Sequence, residues 1–299
     1  MLRIRSLLVT AIVVTGLVAG ALPAAATTRY LGDPTFSVKV TKRVPFGNNH
    51  DFVLNADGSC STGGPIQQLY MDVYSPIGDT VTDRPAIVWA HGGGFLVGGR
   101  GGDSSAAYGN AFAGRGYVFV SIDYRMCEHG PKINYEDGLS EIETARIAAA
   151  SSDQKTAIRF LRRHATSFGI DTNRIAVGGN SAGAITSLTT SATKDELYDG
   201  DDNLGYPQNV CTAVSVAGAT DPLLIDSGDA GAIFFHGLKD TVVLPQHMYD
   251  TRDALDAAGL PWEVHTYDYR HTINQNLKIR TDMIANMVPW LFNHLVTCG

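Results

Sequence analysis

The sequence has no uninterrupted block of like charges, no C-x-x-C or H-E-x-x-H spacing, no internal repeat and, beyond residues 1–26, no apolar run long enough to span a bilayer. Each absence removes a class of function. Without a basic stripe, and with a formal net charge of −7 over 299 residues, the chain lacks the electrostatic footprint of a nucleic-acid-binding protein. Its four cysteines lie far apart, so no zinc spacing exists and no metal or cofactor is expected. Only 18% of residues are charged while 44% are hydrophobic, which excludes a disordered or coiled-coil chain. A folded protein with a mildly acidic surface remains.

What is present begins with a leader. Residues 1–26 carry Arg3 and Arg5, no acid, an apolar stretch from Leu7 to Leu22, then Pro23 and the small run Ala24-Ala25-Ala26. This three-part pattern is that of a secretory signal peptide cleaved after Ala26. An uncleaved anchor is the alternative, although the stretch is somewhat short for the roughly 20 residues a span needs. Export places the chain outside the cell, with no membrane partner after cleavage, and makes Cys60, Cys127, Cys211 and Cys298 candidates for two disulfides.

Alternating residues in Phe36–Val44 and Leu69–Val73 predict two half-buried strands joined by a Gly/Asn/Ser-rich connection, Gly47–Gly64. The pattern then changes to short, continuous apolar runs: Ala86–Ala90, Val118–Ile122, Ile175–Val177, Val214–Val216 and Ile233–Phe235. Such runs mark parallel strands covered on both faces. Helical patterns fall between them. Gln154–Phe168 sets Ala157, Ile158, Leu161, Ala165 and Phe168 on one face and Lys155, Arg159, Arg162 and Arg163 opposite, with Gly169 as the stop. Gln246–Ala258 and Leu277–Leu295 read likewise, and Ser140–Ala150 is a further helix inside a long stretch, Met126–Asp153, that suits a flap. Strands alternating with helices predict an α/β class with a mostly parallel sheet, and no interior linker divides residues 27–299, which are expected to form one catalytic domain.

Gly179-Asn180-Ser181-Ala182-Gly183 is a G-x-S-x-G pentapeptide. Its context matters more than its letters: the apolar run ending at Gly178 precedes it and the helix-compatible segment Ala182–Ala192 follows. That is the tight strand-to-helix turn that exposes a nucleophilic serine. A serine hydroxyl is a weak nucleophile at neutral pH, so it needs a base, a group to orient the base, and donors for the developing oxyanion. His91-Gly92-Gly93-Gly94-Phe95, directly after the strand Ala86–Ala90, supplies a glycine loop suited to that last task.

Together His91–Phe95, Asp123-Tyr124-Arg125, Asn180–Gly183 and His236-Gly237-Leu238-Lys239-Asp240 resemble an α/β-hydrolase serine carboxylesterase, on the hormone-sensitive-lipase-like branch and its small secreted bacterial relatives. The resemblance covers roughly Tyr70 to Leu295. It implies a central sheet of about eight strands with helices on both faces. It implies Ser181 as nucleophile and the N–H groups of Gly93, Gly94 and Ala182 as the oxyanion hole. The family order, serine then acid then histidine, directs the search for the other two groups. Asp240 matches the acid loop, with Asp221, Asp226 and Asp229 as rivals. His271, between the predicted strand Trp262–Asp268 and the last helix, matches the base. His265 lies inside that strand, His294 in the final helix and His247 at the start of a helix. His91 and His236 read as structural residues.

The chain departs from the family where Met126-Cys127-Glu128-His129 follow Asp123-Tyr124-Arg125, so the acyl-pocket wall does not carry over, and where Asn180 replaces a common acid. Only ten residues separate Asp221 from Ala232, where larger relatives insert cap helices, so a minimal cap or none is expected. If the family topology holds, it places Cys60 beside Cys127 and Cys211 beside Cys298. The implied activity is hydrolysis of carboxylic esters, small-molecule or polymeric, short-chain or bulky but accessible. A serine peptidase or amidase is the competing reading, and a noncatalytic binding module the third.

Overall fold

The computed structural model describes residues 29–130, 132, 141–193 and 203–298. The expected leader, residues 1–26, and part of the Met126–Asp153 stretch lie outside these. Eight strands, β1 (Val38–Leu54), β2 (Cys60–Pro76), β3 (Arg84–Ala90), β4 (Val118–Ile122), β5 (Ile170–Asn180), β6 (Thr212–Val216), β7 (Gly231–Gly237) and β8 (Trp262–Tyr267), form one sheet in the order β1-β2-β4-β3-β5-β6-β7-β8. The pairs β1/β2 and β2/β4 are antiparallel and every later pair is parallel.

Every residue of β3, β4, β6 and β7 is buried, because helices cover both faces. The strand pleat divides the apolar runs between two cores. Val88, Val120 and Val177 pack on one side with Ile158 and Leu161 of α2 (Glu141–Arg163), Ile185 of α4 (Ala182–Ala192) and Met248 of α5 (Pro245–Ala257), while α3 (Ala165–Phe168) caps the end of α2. Ile87, Trp89, Phe119 and Val214 pack on the other with Tyr108 and Phe112 of α1 (Asp103–Ala113) and Met283, Met287 and Trp290 of α6 (Leu277–Leu291). The parallel strands therefore present their C-terminal ends, and the loops leaving them, at one edge.

Three details differ from the sequence-based expectation. The connection Gly47–Gly64 is strand for most of its length: β1 and β2 pair continuously from Val38↔Pro76 to Leu54↔Cys60, with register shifts near Val44, Gly47 and Phe52. The ladder satisfies main-chain groups whatever the side chains, and bulges absorb the irregular sequence. The two helices expected around residue 150 are one, α2, of 23 residues. Its polar face is not solvated: Lys155, Arg159 and Arg162 are 0%, 1% and 6% exposed, and only Arg163 of the four faces solvent. Carbonyls replace water there, with Lys155 Nζ donating to Thr193 O (2.5 Å) and Arg162 to Thr172 O and Asn209 O (2.9 and 2.7 Å). Helix α1, unpredicted, is built of small residues and includes Gly109, where a Cβ would sit 2.7 Å from the Tyr74 ring.

Cys60 is bonded to Cys127 and Cys211 to Cys298, with Cα atoms 6.2 and 6.1 Å apart. The first bond ties the β1–β2 hairpin to the segment after β4; the second ties the start of β6 to the C-terminal turn. No helix among the described residues is long and apolar enough to cross a membrane.

Candidate active site

Strand β5 delivers Ser181 to the C-terminal edge of the sheet and α4 begins at the next residue. Ser181 itself has φ 53° and ψ −122°, a region that side chains other than glycine rarely occupy. Neighbouring groups over-determine this conformation. Ser181 N–H donates to Val216 O (2.8 Å), while Ser181 O accepts from Ala184 N (2.9 Å) and Ile185 N (3.0 Å). A Cβ on Gly179 would lie 2.3 Å from Gly183 O, and one on Gly183 2.1 Å from Ala90 O, so both glycines are steric requirements of the turn.

Ser181 Oγ lies 2.7 Å from His271 Nε2, and His271 Nδ1 lies 2.7 Å from Asp240 Oδ2. His271 stands in the loop between β8 and the 3-10 turn Ile273–Gln275, and Asp240 follows β7. The other Asp240 oxygen accepts from Val242 N (2.8 Å) and Val243 N (3.1 Å). Burial opposes the charged carboxyl, but hydrogen bonds from His236, His271 and the Val242 N–H outweigh it and hold Asp240 well below the usual carboxylate range. The rival groups are engaged elsewhere. Asp221 caps the turn Pro222–Leu224, and Asp229 accepts from Asp226 N. His265 Nε2 meets Glu263, and its ring stacks on Phe235. His294 packs against Trp290, and His247 lies in α5.

The glycine loop after β3 faces Ser181 across an open cavity of about 500 Å³, lined also by Ser104, Ser105, Asn180, Val242, Asn274 and Gln275. Gly93 has φ 134°, and a Cβ there would fall 1.7 Å from Val97 O. Neither the Gly93 nor the Gly94 N–H donates to a main-chain carbonyl of the described residues, and the Ala182 N–H, at the first position of α4, has no acceptor within the helix. Three main-chain donors are thus available beside the serine. Burial keeps the His91 imidazole below its ordinary pKa; its ring stacks on Tyr124 at 4.3 Å and it bonds Gly92 O, so it braces the loop. Sequence reasoning missed the rest of the brace. Tyr124 donates to His91 O (2.8 Å), Arg100 N to Asp123 Oδ1 (3.0 Å), and the Arg100 guanidinium bridges Asp72 (2.8 Å) and Asp123. The signal was Asp123-Tyr124-Arg125, whose acid implied a cation nearby without saying which.

A family model described as BD-FAE matches residues 71–225, just over half of the chain. The chain belongs to the BD-FAE family. Among curated proteins, this BD-FAE member is 29% identical over 152 residues to secreted lipase 1 of Botryotinia fuckeliana and 30% identical over 191 residues to gut esterase 1 of Caenorhabditis briggsae. Those matches cover 50% and 62% of this chain but only 24% and 31% of the relatives, so the chain spans under a third of their length. Among solved structures it superposes on Thermogutta terrifontis esterase 2 phosphonylated by sarin, with a TM-score of 0.62 at 21% identity, covering 76% of this chain and 90% of that one. A truncated carbohydrate esterase from gut microbiota gives a TM-score of 0.61 at 16% identity, covering 88% and 98%. These likenesses establish the α/β-hydrolase fold of the BD-FAE chain.

Proposed function

We propose that this protein is a secreted serine carboxylesterase. The observation that carries the reading is the unbroken chain Ser181 Oγ, His271, Asp240 on a strained turn beside main-chain donors that have no main-chain acceptor among the described residues. Ser181 Oγ attacks the ester carbonyl as His271 Nε2 takes its proton, and Asp240 orients the ring and stabilises the imidazolium. The N–H groups of Gly93, Gly94 and Ala182 receive the oxyanion. Collapse expels the alcohol, protonated by His271, and leaves an acyl group on Ser181, which water removes by the same route. Membership of BD-FAE and relatives named lipases and esterases support ester chemistry. The signal-like residues 1–26 and two disulfides support secretion, with residues 27–299 as one catalytic unit.

The Ser181→Ala variant tests the reading. A fluorophosphonate probe, chemically akin to the agent bound by the Thermogutta esterase, should label the wild type and not the variant, and turnover of p-nitrophenyl acetate should fall by about 10³-fold or more. Retained labelling would remove Ser181 from its role, and faster cleavage of the matching anilide would favour an amidase.

Access sets the substrate class. Between Asp221 and Gly231 the chain makes only the turn Pro222–Leu224 and a tight bend, with no cap over the cavity from this segment. Short-chain esters, or bulky ones that reach an open site, are the expected substrates. A p-nitrophenyl series from acetate to laurate should peak at the short end, and a peak at laurate would overturn this.

A further inference from the structure

His236 is the penultimate residue of β7, four residues before Asp240, and is 1% exposed. Its Nε2 lies 2.9 Å from Val243 O and 3.3 Å from Asp240 Oδ2, the oxygen that also faces His271 Nδ1. A carbonyl oxygen only accepts, so Nε2 must carry a hydrogen. Asp240 Oδ2 is the longer of the two contacts, and the buried Nδ1 has no hydrogen-bond partner among the described residues. A ring needed only to fill space would gain nothing from this arrangement, and an orphaned ring nitrogen carries a desolvation cost.

We infer that His236 is a positioning residue of the catalytic chain: its Nε2–H, shared between Val243 O and Asp240 Oδ2, fixes the carboxylate that in turn aims His271. The inference rests on the Ser181, His271 and Asp240 reading above. Of the titratable side chains among the described residues, Asp240 lies 3.3 Å from His236 Nε2 and His271 lies one hydrogen bond further on; the register partner on β8 is Thr266, which does not titrate. The sign of the effect follows. Removing a donor from Asp240 makes it a stronger acceptor for the His271 imidazolium, so His271 keeps its proton to higher pH and the acid limb of the rate profile moves up.

The experiment compares His236→Ala with His236→Gln, whose side-chain amide nitrogen reaches about as far as Nε2. The alanine variant should lose about tenfold in kcat with KM within about twofold, and its acid limb should rise by about half a pH unit. The glutamine variant should restore the wild-type limb even if its thermal midpoint falls. A limb unmoved by alanine, or moved equally by glutamine, would overturn the inference. If the alanine variant does not fold, ¹⁵N spectra of the wild type decide: the neutral His236 ring must be the Nε2–H tautomer, and the Nδ1–H tautomer would refute the inference. Failure here leaves Ser181→Ala inactive, whereas failure of the underlying reading leaves that variant active, so the two are distinguishable.

Discussion

Among the described residues two carboxylates, Asp153 and Asp240, are wholly withdrawn from solvent, and their partners differ in one property. Asp153, on α2, meets Arg125 through the main-chain N (2.7 Å) and through Nε (3.0 Å), and Asn49 Nδ2 (2.9 Å) completes its shell. Asp240 meets two imidazoles and two main-chain N–H groups. A guanidinium never releases its proton in a protein, so Asp153 has a standing counterion in Arg125, although burial still pushes its carboxyl above the ordinary value. An imidazole acting as general base takes its proton from the nucleophile during the reaction. In the proposed mechanism Asp240 is therefore a buried negative charge whose full counterion forms during turnover, which is how an interaction becomes stronger in the transition state than in the ground state. The first pair suits the binding of β1, α2 and the β4 loop to one another, the second suits chemistry.

The largest test of that contrast is Asp240→Asn. The amide preserves shape and the bonds from Val242 and Val243, but it offers His271 Nδ1 a donor where an acceptor is needed and stabilises the wrong tautomer. Turnover of p-nitrophenyl acetate should fall on the order of 10³- to 10⁴-fold while the circular dichroism spectrum is unchanged. Next is Asp153→Ala, which strands the buried Arg125 guanidinium. Its cost should be about 3–5 kcal/mol, or roughly a 10 °C drop in thermal midpoint, with kcat of the folded fraction within about twofold of wild type. Were Asp153→Ala to silence the enzyme without lowering its midpoint, the division between the two carboxylates would collapse.

The two sites were not equally legible. Ser181 stood out because a pentapeptide bounded by an apolar run and a small-residue helix has one geometry that accommodates it, and five of the eight strands were readable as apolar runs for the same local reason. His271 and Asp240 could be singled out only through chain order borrowed from a family resemblance. The Arg125–Asp153 pair and the Arg100 bridge left no trace in periodicity, because they join residues 28 and 23 positions apart through tertiary contact. Helix α2 shows why polarity misled: Lys155 and Arg162 look like a solvent face in any helical projection, yet carbonyls of Thr193, Thr172 and Asn209 receive them in the interior. His236 was assigned to structure because its position in a strand is all that the chain displays; the bond to Asp240 needs the turn Gly237–Asp240 to fold back, with Asp240 N donating to Gly237 O (3.1 Å).

The smallest effect sharpens the contrast through pH. The folded carboxyl of Asp240 is held below its ordinary value of about 3.9 by its hydrogen bonds, so this residue contributes stability that is fully present above the unfolded value and is lost as pH falls through the folded one. The unfolded chain binds the proton first, and folding then has to give it up. Asp240→Asn has no proton to exchange at this position. The wild type should therefore be the more stable of the two at neutral pH, and the difference between their thermal midpoints should narrow progressively as pH drops below about 4. A difference that stays constant across that range would mean that the bonds from His236, His271 and Val242 do not favour the charged form, and the comparison of Asp240 with Asp153 would lose its electrostatic basis.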